Sequence, residues 1–351
     1  MKKTSLTEVV TRIFFYVVES KTLNMRTQIV YVLVSSDGDL YLEELWVSLY
    51  SLRLYHSDAI VKVLVDESTH ARIKKRPELG VMITEIIVVA TPEVYNAKQR
   101  SRYIKTSIRQ IIDGPFLFID TDTVICKPLN GINNLGEGIY AVPECHLPIS
   151  ENPFNPLPNV RRIFNVDASD CTYWFNSGVM YVSDNEETRE FYRQWNKNWT
   201  FSCFEKGNSQ DQPALLKTNH DLGNYIKCLP DIYNCQVSMS LKFFADAAII
   251  HWWHMNFIEN QSYSPFLDLS IYKEVKENDG ISIKVQCLIS NCKQSFVSPT
   301  MPVGLEQMYF LFSPVGKICN KVYKEGGVAS FIMIKVAKWL DKLHKLTRRN
   351  K

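Results

Sequence analysis

An α/β domain built on a largely parallel sheet is predicted, because short β-branched and apolar runs alternate with longer segments of helical period from Gln28 onward. The apolar runs cover residues 29–34, 60–65, 81–89 and 116–119. Between them, residues 41–55 carry Leu42, Leu45, Trp46, Leu49 and Leu52 at helical spacing, and residues 94–112 read as a second helix. Beyond these, residues 143–170 are rich in Pro, Asn and Ser and read as a long loop of the kind that often serves as a lid. A strand over 173–182, a helix over 186–199, a helical segment beginning near Ser209 and a short apolar strand ending at His251 complete the pattern.

The chain has 351 residues, 46% of them hydrophobic, enough for one large core and an appendage. The expected organisation is an amphipathic helix over 1–27, the α/β domain over 28–260 and an extension over 261–351. The extension ends in a basic helix over 327–346 with Phe331, Ile332, Val336, Trp339, Leu340 and Leu343 on one side. Forty Lys and Arg against 37 Asp and Glu give a net charge of +3, no argument for a nucleic-acid partner. The nine cysteines include no CxxC pair, and a reducing cytosol is the expected setting. Lys2 and Lys3 precede an apolar stretch, but Arg12 and Glu19 interrupt it and no small-residue cleavage site follows, so it reads as a helix rather than a leader.

Four elements carry chemistry. The run Phe116-Leu-Phe-Ile-Asp120-Thr121-Asp122 reads as a buried strand ending in two acids, which in an extended chain would point the same way. Two carboxylates about 4 Å apart repel by roughly 1 kcal/mol in water and several times more near a protein surface, and a hard cation such as Mg2+ or Mn2+ relieves this. Ligands of open α/β sheets also bind at the carboxyl ends of strands. Asn176-Ser177-Gly178 lies inside an otherwise apolar strand, where it reads either as a bulge or as a place for a ligand to approach the backbone. Gln210-Asp211-Gln212-Pro213 stands at a helix start, as a capping sequence or as a source of a carboxylate and amides. His251 ends an apolar strand, with His254 close behind, and either imidazole could serve as a metal ligand.

In order and spacing, these elements resemble glycosyltransferase family 8 and its bacterial relatives in lipopolysaccharide and capsule synthesis. The likeness spans about Ile29 to His254 and includes Ser36-Asp37-Gly-Asp39-Leu-Tyr41, Val47-Ser-Leu-Tyr-Ser-Leu52, Tyr103-Ile-Lys105, Leu229-Pro230, Tyr233-Asn234 and Ile250-His251. The resemblance implies a GT-A fold, a UDP-sugar donor and a saccharide or lipid-linked acceptor. It implies that Ser36, Asp37 and Tyr41 hold the nucleotide, that Lys105 contacts the donor where relatives have Arg, and that Asp120, Asp122 and His251 bind Mn2+ or Mg2+. It further implies that Asn176, Asp211 and Gln212 surround the donor sugar, with retention of configuration. Relatives follow the metal histidine with Gly and Lys-Pro-Trp; this chain has Trp252-Trp253-His254-Met255, so the diphosphate contact falls to His254 or to a residue elsewhere, with Thr121 also placed at the donor. A lipid-linked acceptor would suit a cytoplasmic protein attached peripherally to the inner membrane through the basic helix. Two other readings compete: a haloacid-dehalogenase-like phosphatase with Asp120 as nucleophile, since Asp120-Thr-Asp122-Thr-Val fits that motif too, and a non-catalytic nucleotide- or glycan-binding protein.

Overall fold

The computed structural model describes residues 25–253, 264–296, 307, 310–311 and 313–349, with only the backbone of 341–349 considered. His254 and nearly all of the expected N-terminal helix lie outside the described residues. The chain divides into two compact units, one comprising residues 1–150 and 156–299, the other 151–155 and 300–351.

The first unit is a mixed α/β structure with a seven-stranded, mostly parallel sheet. Strands β1 (Gln28–Leu33), β2 (Val61–Val65), β3 (Glu85–Val88) and β4 (Phe116–Ile119) are followed by β5 (Thr123–Ile125), β6 (Ile139–Pro143), β7 (Phe175–Val182), β8 (Ile226–Cys228), β9 (Cys235–Gln236) and β10 (Ile249–His251). The large sheet runs β3-β2-β1-β4-β7-β6-β8, and β7 is antiparallel to both its neighbours. A smaller sheet, β5-β10-β9, takes over where β4 ends.

Both faces of the large sheet are covered, which explains the uninterrupted apolar runs. Along β1, Ile29, Tyr31 and Leu33 pack into one core, and Val30 and Val32 into the other. The first core contains Leu45, Trp46 and Leu49 of helix α1 (Tyr41–Tyr55). The second contains Phe116 and Phe118 of β4 with Tyr192, Trp195 and Trp199 of a long helix, Glu186–Phe204. Polar residues of α1 also fasten it to β5: the Ser48 hydroxyl lies 3.0 Å from the Tyr31 hydroxyl and 2.9 Å from that of Thr123, and Ile125 N–H donates to the Ser51 hydroxyl at 2.9 Å.

Several expected boundaries shift. The strand expected over 81–89 is confined to Glu85–Val88, because Pro77–Gly80 forms a helical turn ahead of it and Val81 is 83% exposed. The helix expected over 94–112 is two, Ala97–Thr106 and Ile108–Ile111, interrupted where the Ser107 hydroxyl bonds back to Tyr103 O. The expected loop over 143–170 contains the helix Leu157–Phe164, stopped by Asn165 in the left-handed conformation. In the second unit the basic helix runs Gly327–Arg349, with Val328, Phe331, Ile332, Val336, Trp339 and Leu340 exposed. No helix among the described residues is long and apolar enough to cross a membrane.

Candidate metal and diphosphate site

Strand β4 ends at Ile119, and Asp120-Thr121-Asp122 forms the turn from the large sheet into the small one. The two acids are thus brought together by a turn and not by the extended geometry expected of them. Both sides of the turn are pinned. Asp120 N–H donates to Gly178 O at 2.7 Å, Trp252 N–H donates to Asp122 O at 2.8 Å, and the Thr123 hydroxyl donates to Asp120 O at 2.9 Å. The register of β10 sets His251 opposite Thr123. Its Nε2 consequently lies 3.1 Å from Asp122 Oδ1.

One ligand atom from each of Asp120, Asp122 and His251 falls within 4.8 Å of the others. Ligands at about 2.1 Å from Mg2+ or Mn2+ lie at most about 4.2 Å apart across the ion. The three atoms are thus gathered to nearly the span that such an ion requires, and two carboxylates with one imidazole suit the cation.

The imidazole is also presented the right way round. Gly178 N–H donates to Asn176 Oδ1 at 2.9 Å, fixing that atom as the acceptor and leaving Asn176 Nδ2 to donate to Glu144 Oε2 at 2.9 Å. Asn234 Nδ2 donates to the same Asn176 oxygen at 2.9 Å, so Asn234 Oδ1 faces His251 Nδ1 at 3.0 Å as an acceptor. His251 must then carry a hydrogen on Nδ1, and Nε2 is the nitrogen turned to the acids. Burial alone would lower the His251 pKa, but Asp122, then Asp120 and Glu144, outweigh it and raise the value above that of ordinary histidine. Burial raises the Asp120 carboxyl as well, against the pull of Lys105, and the charge of Asp122 adds to the rise.

A second charged group adjoins the first. Asp211 precedes the helix Gln212–Asp221, yet its side chain makes no capping bond. Instead it lies 3.1 Å from Arg102 Nε and 3.5 Å from Lys105 Nζ, and it accepts from the Ser177 hydroxyl at 2.9 Å. Burial would raise the Asp211 carboxyl, but Arg102 and Lys105 hold it well below the usual carboxylate range. Lys105 is almost fully buried, and its ammonium reaches both Asp120 oxygens at 3.1 Å. Its charge is taken up internally, whereas Arg102 remains about a third exposed.

Gln212 Nε2 donates to Glu144 Oε2 and, at 3.4 Å, to Phe175 O. Its amide oxygen is thereby the end left for other partners. Glu144 is buried at the end of β6, followed by Cys145 and His146 with φ of 61° and 59°. Two successive left-handed residues other than glycine are strained and persist only if surrounding contacts hold them. Here Cys145 N–H donates to Gln236 Oε1 at 2.8 Å, Gln236 Nε2 donates to Pro143 O at 3.0 Å, and His146 pairs with Asp231 at 2.7 Å.

The loop after β1, which carries Ser36, Asp37 and Tyr41, has a hydrogen-bonded internal order of its own. Asp39, not Asp37, organises it, accepting from the Ser35 hydroxyl, the Ser36 N–H and hydroxyl, and the Tyr41 N–H. The Asp37 carboxylate is exposed and paired with Arg72, and Tyr41 is half exposed at the start of α1. Thr121 lies at the turn, its hydroxyl 3.2 Å from the buried Glu44 carboxylate.

Sequence reasoning therefore missed Arg102, Glu144 and Glu44, and it singled out Asn234 without giving it a role at the site. Arg102 was detectable, since it lies three residues before Lys105 on one helix and so shares a face with it. Glu144 carries the same signal as Asp120, an acid ending an apolar strand.

No protein-family model matches the chain, nor does any curated protein sequence. Among solved structures it is similar to mouse xyloside xylosyltransferase 1, with a TM-score of 0.44, 12% identity, and coverage of 64% of this chain and 97% of that one. It is similar to the galactosyltransferase LgtC bound to donor and acceptor sugar analogues, with a TM-score of 0.45, 14% identity, and coverage of 74% and 99%. It is also similar to the glycosyltransferase GlyE of Streptococcus pneumoniae TIGR4, with a TM-score of 0.45, 16% identity, and coverage of 79% and 67%. At these distances the likenesses transfer no activity, which has to rest on the residues themselves.

A Cβ on Gly178 would stand 2.4 Å from His251 Cε1 and 2.9 Å from Asn176 Oδ1. Gly178→Ala, by displacing the imidazole, and Asn234→Ala, by removing its Nδ1 partner, are each expected to weaken Mn2+ binding by about 10- to 100-fold in calorimetry with the circular dichroism retained. Wild-type affinity in both would contradict the chain of bonds described.

Proposed function

We propose that the protein is a metal-dependent glycosyltransferase that moves a hexose from a nucleotide-diphosphate sugar, with UDP as carrier, to a glycan or lipid-linked saccharide. The observation that carries this reading is the pairing of an Asp120, Asp122 and His251 cluster with the Arg102–Asp211–Lys105 group directly beside it. A divalent cation at the first would neutralise the charge developing on the departing diphosphate. Asp120, Asp122 and His251 would hold it, and Arg102, the partly exposed cation, would contact the phosphates. Asp211, kept ionised, would accept hydrogen bonds from sugar hydroxyls, and Asn176 and Ser177 would line the same wall. The neutral Gln212 amide, its nitrogen held by Glu144, would turn its oxygen toward the reacting carbon. Because an amide oxygen is a poor nucleophile, acceptor attack on the face the diphosphate leaves, with retention, fits this arrangement. A phosphatase using Asp120 as nucleophile would leave the Asn176–Asn234–His251 chain without a role.

The donor reading is tested by thermal shift with UDP, GDP and CDP, each with and without Mn2+. A nucleotide at about 100 times its Kd adds about 2.7 kcal/mol to stability. Stabilisation by UDP that requires Mn2+ and disappears in Asp122→Ala is expected, and no response to any nucleotide would overturn the proposal. Since a cation must displace the proton from His251 Nε2, and that pKa is raised, Mn2+ affinity should fall by about tenfold per pH unit below it. A flat profile between pH 8 and 5.5 would count against His251 as a ligand.

We also propose that the basic helix Gly327–Arg349 attaches the protein to anionic lipid, which matches a lipid-linked acceptor. Co-sedimentation with phosphatidylglycerol vesicles, reversed by high salt and absent with phosphatidylcholine alone, is the expected result. No sedimentation at low salt would dismiss the attachment and leave the donor site untouched.

A further inference from the structure

Cys126 and Cys292 are far apart in sequence, yet their Sγ atoms lie 3.2 Å apart. Cys126 directly follows β5, the strand that leads out of the Asp120–Asp122 turn, and its N–H is held by Ala248 O at 2.7 Å. Cys292 opens the single helical turn after the helix Ile283–Ser290 and is 3% exposed, while Cys126 is half-buried. Next to Cys292, the Lys293 ammonium donates to Ala245 O at 2.8 Å and Ala247 O at 3.0 Å, which fixes a positive charge beside the pair.

We propose that Cys126 and Cys292 form a reversible redox pair that closes to an intramolecular disulfide. The sulfurs need approach by only about 1 Å to reach bonding distance. The contact with Cys126, together with Lys293 and against the effect of burial, lowers the Cys292 thiol below its ordinary pKa, which favours the thiolate that such exchange requires. The oxidant is a low-molecular-weight disulfide. One cysteine thiolate of the pair attacks it, forming a mixed disulfide and releasing one small thiol; the second cysteine then attacks the Sγ of the first, which forms the Cys126–Cys292 bond and releases the second small thiol. Two protein thiols are oxidised to one cystine, the small disulfide is reduced to two thiols, and the cysteine protons pass to the departing thiolates.

The closed pair ties the strand leaving the metal turn to the segment that bears the helices Ser270–Asn278 and Ile283–Ser290. The first of these carries Lys276, whose ammonium donates to the Asp37 and Asp39 carbonyls of the loop after β1, both at 2.7 Å. Oxidation therefore restrains a helix that holds the loop beside the candidate nucleotide site. The pair itself depends on no assumption about what binds there.

The test uses the full, unaltered chain in a series of glutathione buffers from fully reduced to fully oxidised, quenched by alkylation and mapped as non-reduced peptides. The expected result is a peptide pair joined through Cys126 and Cys292, loss of two of the nine alkylatable thiols at these positions, and an upward Tm shift of about 5 °C or more. Cys292→Ser should abolish both the cross-link and the shift. Recovery of both cysteines as free thiols throughout the series, or as separate glutathione adducts without a cross-link, would overturn the proposal. Because the mapping is made on the wild type, its outcome does not depend on a variant that folds.

Discussion

The N–H of Gly178 donates to the side-chain oxygen of Asn176, and the orientation of the Asn176 and Asn234 amides and of the His251 imidazole follows from that bond. A backbone amide cannot reverse its polarity, so the Asn176 nitrogen must face Glu144, the Asn234 nitrogen must face Asn176, and the Asn234 oxygen must face His251. The same residue supplies its carbonyl to Asp120 N–H and so positions the acid turn. It must also be small, because a side chain there would occupy the place of the imidazole. One residue in the middle of β7 thus sets the carboxylates and the histidine relative to each other, across the junction of two sheets.

Charge governs the rest. Asp120, Asp122, Asp211, Glu44 and Glu144 converge on a region that also holds the basic side chains of Arg102 and Lys105. Burial raises the Glu44 and Glu144 carboxyls, as expected where negative charge is crowded and poorly solvated. Lys105 lies between Asp120 and Asp211 and pulls the turn and the start of the helix Gln212–Asp221 together. The excess of negative charge lies on the Asp122 and His251 side, where a divalent cation would offset it, while Arg102 brings a partly exposed positive charge to Asp211 beside it. Around Glu144 the strained Cys145-His146 backbone is held by Gln236 and Asp231, so strain and support occur together at the site, as they commonly do where a side chain must be aimed.

Much of this was legible in the sequence, for a physical reason in each case. Strands β1, β2 and β4 are buried on both faces and therefore read as continuous apolar runs, and Asp120 and His251 stand out as polar groups at the ends of such runs. The strands β5 and β9 have three and two residues, too few for any period to emerge, so the small sheet that brings His251 to Asp122 was invisible. Asn234 and Glu144 stand out in the sequence as a motif residue and a strand-end acid, but their roles come from Asn176, 58 and 32 residues from them, a kind of contact that spacing along a chain does not report. The extended geometry expected for Asp120 and Asp122 failed because pairing with β7 ends at Ile119, after which the backbone must turn to reach the second sheet.

The central claim is that His251 Nε2 and the two aspartates face one cation that also meets a diphosphate. Pulsed electron paramagnetic resonance of Mn2+ bound to the full chain addresses it directly. The account predicts a nitrogen coupling from one imidazole, lost in His251→Gln, and a phosphorus coupling that appears when UDP is added. A manganese signal with solvent protons alone, and neither nitrogen nor phosphorus coupling, would contradict it.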